Sequence, residues 1–380
     1  MANHRGLHAL LITTDYPPDV GGLQTYSYRI ARDLPGGLLA HVLAGSDRAA
    51  GSLPAPAEGV GLTQRPGRTR WRAFWWSLWS IPLFRVRRRT DFLLHMQWTT
   101  AIPSLLLSRL GTRTYYLVLV HGAELVDPER FLVRLFKRAV LSRADAVVAG
   151  SQHTAEIVTQ MGIKCRRLEV IPYGNPLEGL REEARPLRTA DVTQGPRLLC
   201  MHRLVARKGT ALLLEALAGM ALIPWTLDIV GQGEEEAGLK ARVLGLGLAD
   251  RICFRPPVDE AEKLDLLRHA DLFILPSLPP THNNHVEGLG LTLLEAQSRG
   301  LPVLAARTGG IPEAIQEGRT GILFRAGDSG DLREKLSALL AAPDQLRAMG
   351  ANGPEWVRSH FSWKEGLARL AGLMAEITGG

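Results

Sequence analysis

The chain has 380 residues, too many for one ordinary domain and about right for two. With 46% hydrophobic and 22% charged residues, it is excluded from the disordered, collagen-like and low-complexity classes. Its formal charge of +7 admits nucleic acid, an anionic membrane surface or a phosphorylated small molecule as partner, and does not choose among them.

The first apolar run, Leu7 to Ile12, passes at once into Thr13-Thr14-Asp15. It is too short for a secretory signal and is read as a first strand. No stretch approaches the ~20 apolar residues that span a bilayer. Cys165, Cys200 and Cys253 are odd in number and widely spaced, which predicts a reducing, cytoplasmic setting rather than a disulfide or zinc framework. Short apolar runs then alternate with helical patterns, the signature of parallel α/β architecture. The predicted strands of the first half are Leu7–Thr13, Ala40–Ala44, Phe92–Met96, Tyr115–Val120, Ala146–Ala149 and Arg167–Ile171. Those of the second half are Arg197–Met201, Thr226–Val230, Ile252–Arg255, Leu272–Leu275, Pro302–Ala305 and Gly321–Phe324. Each set suits one doubly wound sheet. Pro172–Pro196, rich in Pro, Gly, Glu and Arg, reads as a linker. The expected division is residues 1–175, residues 176–352, and a helical tail 353–380 that closes back on the first domain.

Three strand-to-helix loops have the form of phosphate sites, because helix N-termini offer free N–H groups at the carboxyl ends of strands. The first is Asp15 to Gly22, whose paired glycines, Gly21 and Gly22, allow close backbone approach or simply make the turn. The second is His202 to Gly209, with Arg203, Arg207 and Lys208 as cations suited to a diphosphate. The third is Glu287 to Glu295, with Gly288, Leu289 and Gly290 between the glutamates. At helical rise the two carboxylates would lie about 12 Å apart, too far for a glycosidase pair and suited to two ends of an elongated ligand. Gly231-Gln232-Gly233 superficially suggests a dinucleotide loop, but Glu234 to Glu236 follow where a pyrophosphate would dock.

These pieces, together with HGAEL at His121–Leu125, DIVGQGEEE, ADLFILPS, EGLGLTLLEA and TGGIPEAIQEGRTGILF, occur in the order seen in retaining glycosyltransferases of the GT-B fold, family 4. The chain resembles that family over nearly its whole length, and its TDYPPDVGG opening looks closest to mannosyltransferases acting on phosphatidylinositol-type lipids and envelope polysaccharides. The resemblance implies two Rossmann-like domains facing a cleft. It implies a sugar moved from a nucleotide-diphosphate sugar, GDP-mannose or a UDP-sugar, to a lipid-linked or glycan acceptor in envelope or glycan biosynthesis. By the same resemblance Arg203 and Lys208 clamp the diphosphate and Glu295 holds the ribose. Glu287 and the Gly288–Gly290 amides meet the sugar, His121 faces it from the first domain, and Gly22 lies near the diphosphate. No metal or other cofactor is expected. Rival readings are an epimerase or phosphorylase on the same fold, or a non-catalytic membrane-associated scaffold. Two departures stand out: His202 replaces a usual Gly, and the Leu278–Val286 segment, with His282 and His285, is longer than the family's linker.

The charge excess is uneven, since residues 1–175 carry 22 Lys and Arg against 12 Asp and Glu, and residues 176–380 carry 23 against 26. Arg68–Arg89 holds Trp71, Trp75, Trp76 and Trp79 and ends in Arg85, Arg87, Arg88 and Arg89. Trp and Arg together suit an anionic membrane interface; the plainer alternative is a helix packed on the first sheet with a solvated Arg run. Arg134, Lys137 and Arg138 are read as a second basic surface stripe. No nucleic-acid module accompanies these stretches. The expected location is cytoplasmic, peripheral at the inner face of the membrane.

Overall fold

The structure, a computed structural model, describes residues 8–17, 21–35, 38–46, 54–66, 75–81, 90, 92–109, 115–126, 131–180, 195–220, 222–280 and 287–379. The chain divides into two compact units, Met1–Pro176 with Trp363–Gly380, and Leu177–Ser362.

The first unit is built on a seven-stranded sheet of β1 (Ala9–Thr13), β2 (Leu39–Ser46), β3 (Gly61–Pro66), β4 (Phe92–His95), β5 (Tyr115–Val120), β6 (Ala146–Ala149) and β7 (Leu168–Val170). Its order is β3-β2-β1-β4-β5-β6-β7, and every pairing is parallel. β5 reads YYLVLV and is buried from Tyr116 onward, the continuous apolar run that a parallel strand covered on both faces requires. β3 is the strand the sequence does not announce. Its GLTQRP is half-buried at a sheet edge and ends in Pro66, which lacks a ladder N–H.

The connections β1 to β2 to β3 run toward one edge, and those from β3 through β7 run back. With right-handed crossovers, the helices of the second set cover the face opposite the Gly22–Asp33 helix. Among the described residues those helices are residues 75–81, Ile102–Arg109, the short Ala123–Val126, Phe131–Arg143 and Gln152–Gln160.

The second unit has a six-stranded parallel sheet of β8 (Arg197–Met201), β9 (Thr226–Val230), β10 (Ile252–Arg255), β11 (Leu272–Leu275), β12 (Val303–Arg307) and β13 (Gly321–Arg325), in the order β10-β9-β8-β11-β12-β13. Leu213, Leu217, Trp225, Ile229, Ile274, Leu332 and Leu336 belong to its buried core. The Pro343–His360 helix stays with this unit. It approaches the Leu291–Ser298 helix so closely that a Cβ on Gly353 would lie 2.5 Å from the Gln297 carbonyl oxygen.

The return to the first unit begins at Trp363, where the last helix, Trp363–Thr378, starts. Trp363 donates from Nε1 to Asp33 Oδ2 at 2.9 Å and lies edge-on to Tyr26 at 5.3 Å, with the Arg29 guanidinium 4.7 Å from its ring centre. Arg29 also donates to the carbonyls of Asn175, at 3.1 Å, and Pro176, at 2.6 Å. Both crossings of the chain are thus held at one spot of the first unit.

Candidate functional site

In each sheet the strand order reverses once, between β1 and β4 and between β8 and β11. Loops leaving two such neighbours diverge to opposite faces and open a crevice at the carboxyl edge, where ligands of α/β sheets bind.

In the second unit the loop after β8 carries Arg203, Arg207 and Lys208, and the segment after β11 leads to Glu287. Lys208 and Glu287 meet with Nζ 2.5 Å from Oε2, and Arg207 lies 3.5 Å from the same oxygen. Both partners are largely buried, with side-chain exposures of 11% and 14%. Burial alone would raise the Glu287 carboxyl, but Lys208 and then Arg207 outweigh it and hold it below the usual carboxylate range. Burial pulls the Lys208 ammonium down from its ordinary value, and Glu287 opposes that shift. Arg203 is exposed and stands outside this pair. Two cations thus converge on one carboxylate, an arrangement that can receive a second anion.

The backbone brings these groups together. Lys208 closes the short 3-10 turn Ala206–Lys208, and Gly209 follows with φ 69°, the left-handed conformation that favours glycine. A Cβ there would lie 1.9 Å from the Pro276 carbonyl oxygen, so the loop after β8 rests directly on the chain leaving β11. Leu278 N–H donates to the Arg207 carbonyl at 2.9 Å and continues that contact. Gly231 and Gly233 do similar work: a Cβ on either would lie about 2 Å from the carbonyl oxygens of His202 and Leu204. The apparent dinucleotide loop is therefore a brace for the cationic loop.

Glu287 is not helical. The helix starts at Leu291, after Gly290 at φ 82°, so helical rise does not apply across the whole spacing to Glu295. Gly310 N–H holds the Glu287 carbonyl at 3.0 Å, and Leu289 is buried. Glu295, also buried, accepts from Lys263 Nζ at 2.7 Å. Lys263 is a site residue the sequence reading missed. Its one signal is its place in the first turn after the β10 loop, on a helix capped by Asp259.

His202, the departure from the usual Gly, leaves the loop closed by its ring. Nδ1–H donates to the Arg203 carbonyl at 3.0 Å, and Nε2 accepts from the Cys200 thiol at 3.0 Å. Burial and then Lys208 push the imidazole down to about 4, and burial pushes the Cys200 thiol up to about 12, so both are neutral.

The first unit holds its own polar cluster at the β1/β4 reversal. Gln24 Nε2 donates to Asp15 Oδ1 at 2.6 Å, Gln97 Nε2 donates to Asp15 Oδ2, and Thr14 donates to Gln97 Oε1 at 2.5 Å. Gln97 carried no motif and was missed by the sequence reading. Gly22 opens the helix beside this cluster. His121, at the end of β5, has both ring nitrogens engaged inside the unit. Nε2–H donates to the Met96 carbonyl at 2.7 Å, and Nδ1 accepts from the Tyr173 hydroxyl. Glu124 accepts from the His121 N–H at 2.7 Å.

One expectation is corrected here. Lys137 is not part of a surface stripe: it is fully buried and donates to the carbonyls of Glu124, at 3.0 Å, and Leu125, at 2.8 Å. It ends the short Ala123–Val126 helix, where a cation meets unpaired carbonyls. His282, His285, Trp71, Arg68, Arg85, Arg87, Arg88 and Arg89 lie outside the described residues. Among the described residues no group of three His, Cys, Asp or Glu side chains could hold a metal ion, and no helix is long and apolar enough to cross a membrane.

Compared with known families, residues 188–356 match "Glycosyl transferases group 1" and residues 21–174 match "Glycosyl transferase 4-like domain". A GDP-mannose-dependent alpha-(1-6)-phosphatidylinositol monomannoside mannosyltransferase of Mycobacterium tuberculosis is 29% identical over 392 residues, covering 96% of this chain and 97% of that protein. A D-inositol 3-phosphate glycosyltransferase of Segniliparus rotundus is 31% identical over 254 residues, covering 63% of this chain and 54% of that protein. Among solved structures, a sucrose-phosphate synthase from Thermosynechococcus elongatus superposes with a TM-score of 0.84 at 20% identity, over 98% of this chain and 99% of that one.

Proposed function

From the group 1 glycosyltransferases, the family to which this chain belongs and whose GT-B fold it carries, we propose that it moves a hexose from a nucleotide-diphosphate sugar to a lipid-linked or glycan acceptor. GDP-mannose is the donor favoured by the mycobacterial relative, and a UDP-sugar is the alternative. The observation that carries the reading is the convergence of Lys208 and Arg207 on Glu287 at the strand-order reversal of the second unit.

In the proposed complex Lys208 turns from Glu287 to the diphosphate, joined by Arg203, and Glu287 is released to accept from sugar hydroxyls. Glu295, positioned by Lys263, takes the ribose hydroxyls. The amides of Gly288 to Gly290, ahead of the Leu291–Ser298 helix, offer further donors. Charge developing on the leaving diphosphate is met by fixed cations, the preorganised stabilisation that group transfer needs. Transfer with retention follows if the acceptor oxygen attacks C1 from the face the phosphate leaves. The C1–O bond to phosphate breaks, the new glycosidic bond forms, and the acceptor proton passes to the departing phosphate oxygen. Asp15, Gln24 and Gln97 supply hydrogen-bonding groups for a polyhydroxylated acceptor. The Arg68–Arg89 stretch is assigned to an anionic membrane surface, a reading supported by the exposure of Trp75 and Trp79.

The test is thermal stabilisation by GDP, UDP, ADP and dTDP, followed by transfer from the best donor to a phosphatidylinositol-type glycolipid, with the product anomer read by NMR. Stabilisation by GDP and an α-linked product from GDP-mannose are expected. Stabilisation by no nucleotide refutes the site, an inverted anomer refutes retention, and conversion of the donor without acceptor identifies an epimerase.

A further inference from the structure

The helix Phe131–Arg143 reads FLVRLFKRAVLSR and contains no acidic residue. Surface helices turn their apolar side inward, and this one does the reverse. Phe131, Leu132, Leu135 and Phe136 are 77%, 63%, 53% and 45% exposed. At 100° per residue these four positions span an arc of roughly 140°, bordered along one side by Arg134 and Arg138. Lys137, Val140 and Leu141 lie on the opposite side and are buried. The helix is therefore already docked by its own narrow inner face, with Lys137 satisfied by two carbonyls. The outward stripe is a second apolar surface and not a misplaced core.

The stripe has neighbours. The crossover rule puts residues 75–81 and the Ile102–Arg109 helix on the same face of the sheet, and Trp75, Trp79 and Leu106 are exposed there as well. One side of the first unit thus offers aromatic and aliphatic side chains set among arginines.

We propose that this side, led by the Phe131–Arg143 helix, is a docking surface for an anionic lipid bilayer. The four apolar side chains enter the boundary between headgroups and acyl chains, and Arg134 and Arg143 meet lipid phosphates, while Arg138 donates to the Met161 and Gly162 carbonyls at 3.1 and 3.2 Å. Charge selects the bilayer over a second copy of the chain. A contact between two copies would bring together two helices that carry arginines and no acidic residue, whereas anionic headgroups neutralise that charge. The inference deepens the membrane reading made above for Arg68–Arg89, on different residues.

The experiment uses the full chain and sedimentation with vesicles of phosphatidylcholine containing about one quarter phosphatidylglycerol. Phe131→Gln with Leu135→Gln should lower the partition coefficient about tenfold or more, since two large apolar groups no longer leave water. Arg134→Gln should weaken binding to the anionic vesicles and leave binding to pure phosphatidylcholine unchanged. Thermal stabilisation by GDP should persist in both variants, which verifies that they fold. Partitioning of the double variant equal to wild type overturns the inference. So does a wild-type dimer that the double variant converts to monomer while neither form binds vesicles. If Arg87→Glu with Arg88→Glu abolishes binding and the Phe131 and Leu135 substitutions do not, attachment belongs to the earlier stretch alone. Absence of wild-type binding to either vesicle overturns both.

Discussion

Replacing Lys208 with Met tests the centre of the proposed donor site. The substitution keeps the volume of the side chain and removes the ammonium that lies 2.5 Å from Glu287. Opening a buried pair from one side costs about 3–5 kcal/mol, because the remaining charge is left uncompensated. Arg207 still faces Glu287 at 3.5 Å, so the lower end, about 3 kcal/mol, is expected in urea unfolding. Lys208→Met with Glu287→Gln should cost less than the single substitution, since no buried carboxylate then lacks its partner. The pH dependence follows the same logic. In the wild type Glu287 is held below its ordinary carboxylate pKa, so its contribution is full above that range and is lost as pH falls through the depressed value. In the single variant, with the larger cationic influence gone, this acid-side loss should shrink. Nucleotide affinity gives the second readout. A charge-assisted contact to a diphosphate contributes about 2–3 kcal/mol, so Kd for GDP by calorimetry should rise roughly 30- to 150-fold. A Lys208→Met protein with wild-type stability and wild-type GDP affinity would falsify both the pairing argument and the clamp.

Two further outcomes are expected. Gly209→Ala puts a Cβ into the Pro276 carbonyl at a φ of 69° and should cost at least about 2 kcal/mol in urea unfolding. Gly238→Ala, with open space around its Cβ inside the Glu236–Gly245 helix, should instead stabilise by about 0.5–1 kcal/mol; equal effects at the two positions would remove the steric argument. His95 is fully buried between the Thr100 and Ser104 hydroxyls, and burial pushes it down to about 3. The unfolded chain, at about 6.5, takes up that proton first. Stability from neutral His95 is therefore whole above about pH 6.5 and falls away as pH drops toward 3. His95→Asn should flatten the acid side of the stability profile, and an unaltered slope would exclude His95 as its cause.

The second unit was the more legible from sequence. β8, β9 and β11 begin and end where the sequence puts them, because parallel strands inside a sheet are mostly buried, and the edge strand β10 is still marked by Ile252 and Phe254. β3 was invisible for the opposite reason: an edge strand with one wet face has neither an apolar run nor a clean alternation to display. At the proposed site, the cations of the loop after β8 single out Lys208 in the sequence, whereas Glu287 stands out chiefly through the family resemblance of EGLGLTLLEA. Lys263 and Gln97 were not marked, since a lone Lys on a polar helix and a lone Gln after a strand resemble solvated residues until a partner across the sheet gives them a role. Lys137 misled for a related reason. Helical spacing assigns a residue to a face, but it does not say which neighbouring helix ends beneath that face.

The Trp363–Thr378 helix bears on the order in which the molecule can be made. Leu177–Ser362 is one uninterrupted length of chain, so the second unit can fold as soon as it has left the ribosome. The first unit is begun earlier, but its Trp363–Thr378 helix emerges only after the whole second unit. Until then Tyr26 lacks the indole that meets it edge-on, Asp33 lacks the Trp363 N–H, and Arg29 lacks the ring it stacks against. In topological terms the second unit is a guest inserted within its host. The helix that completes the host is made only after its guest.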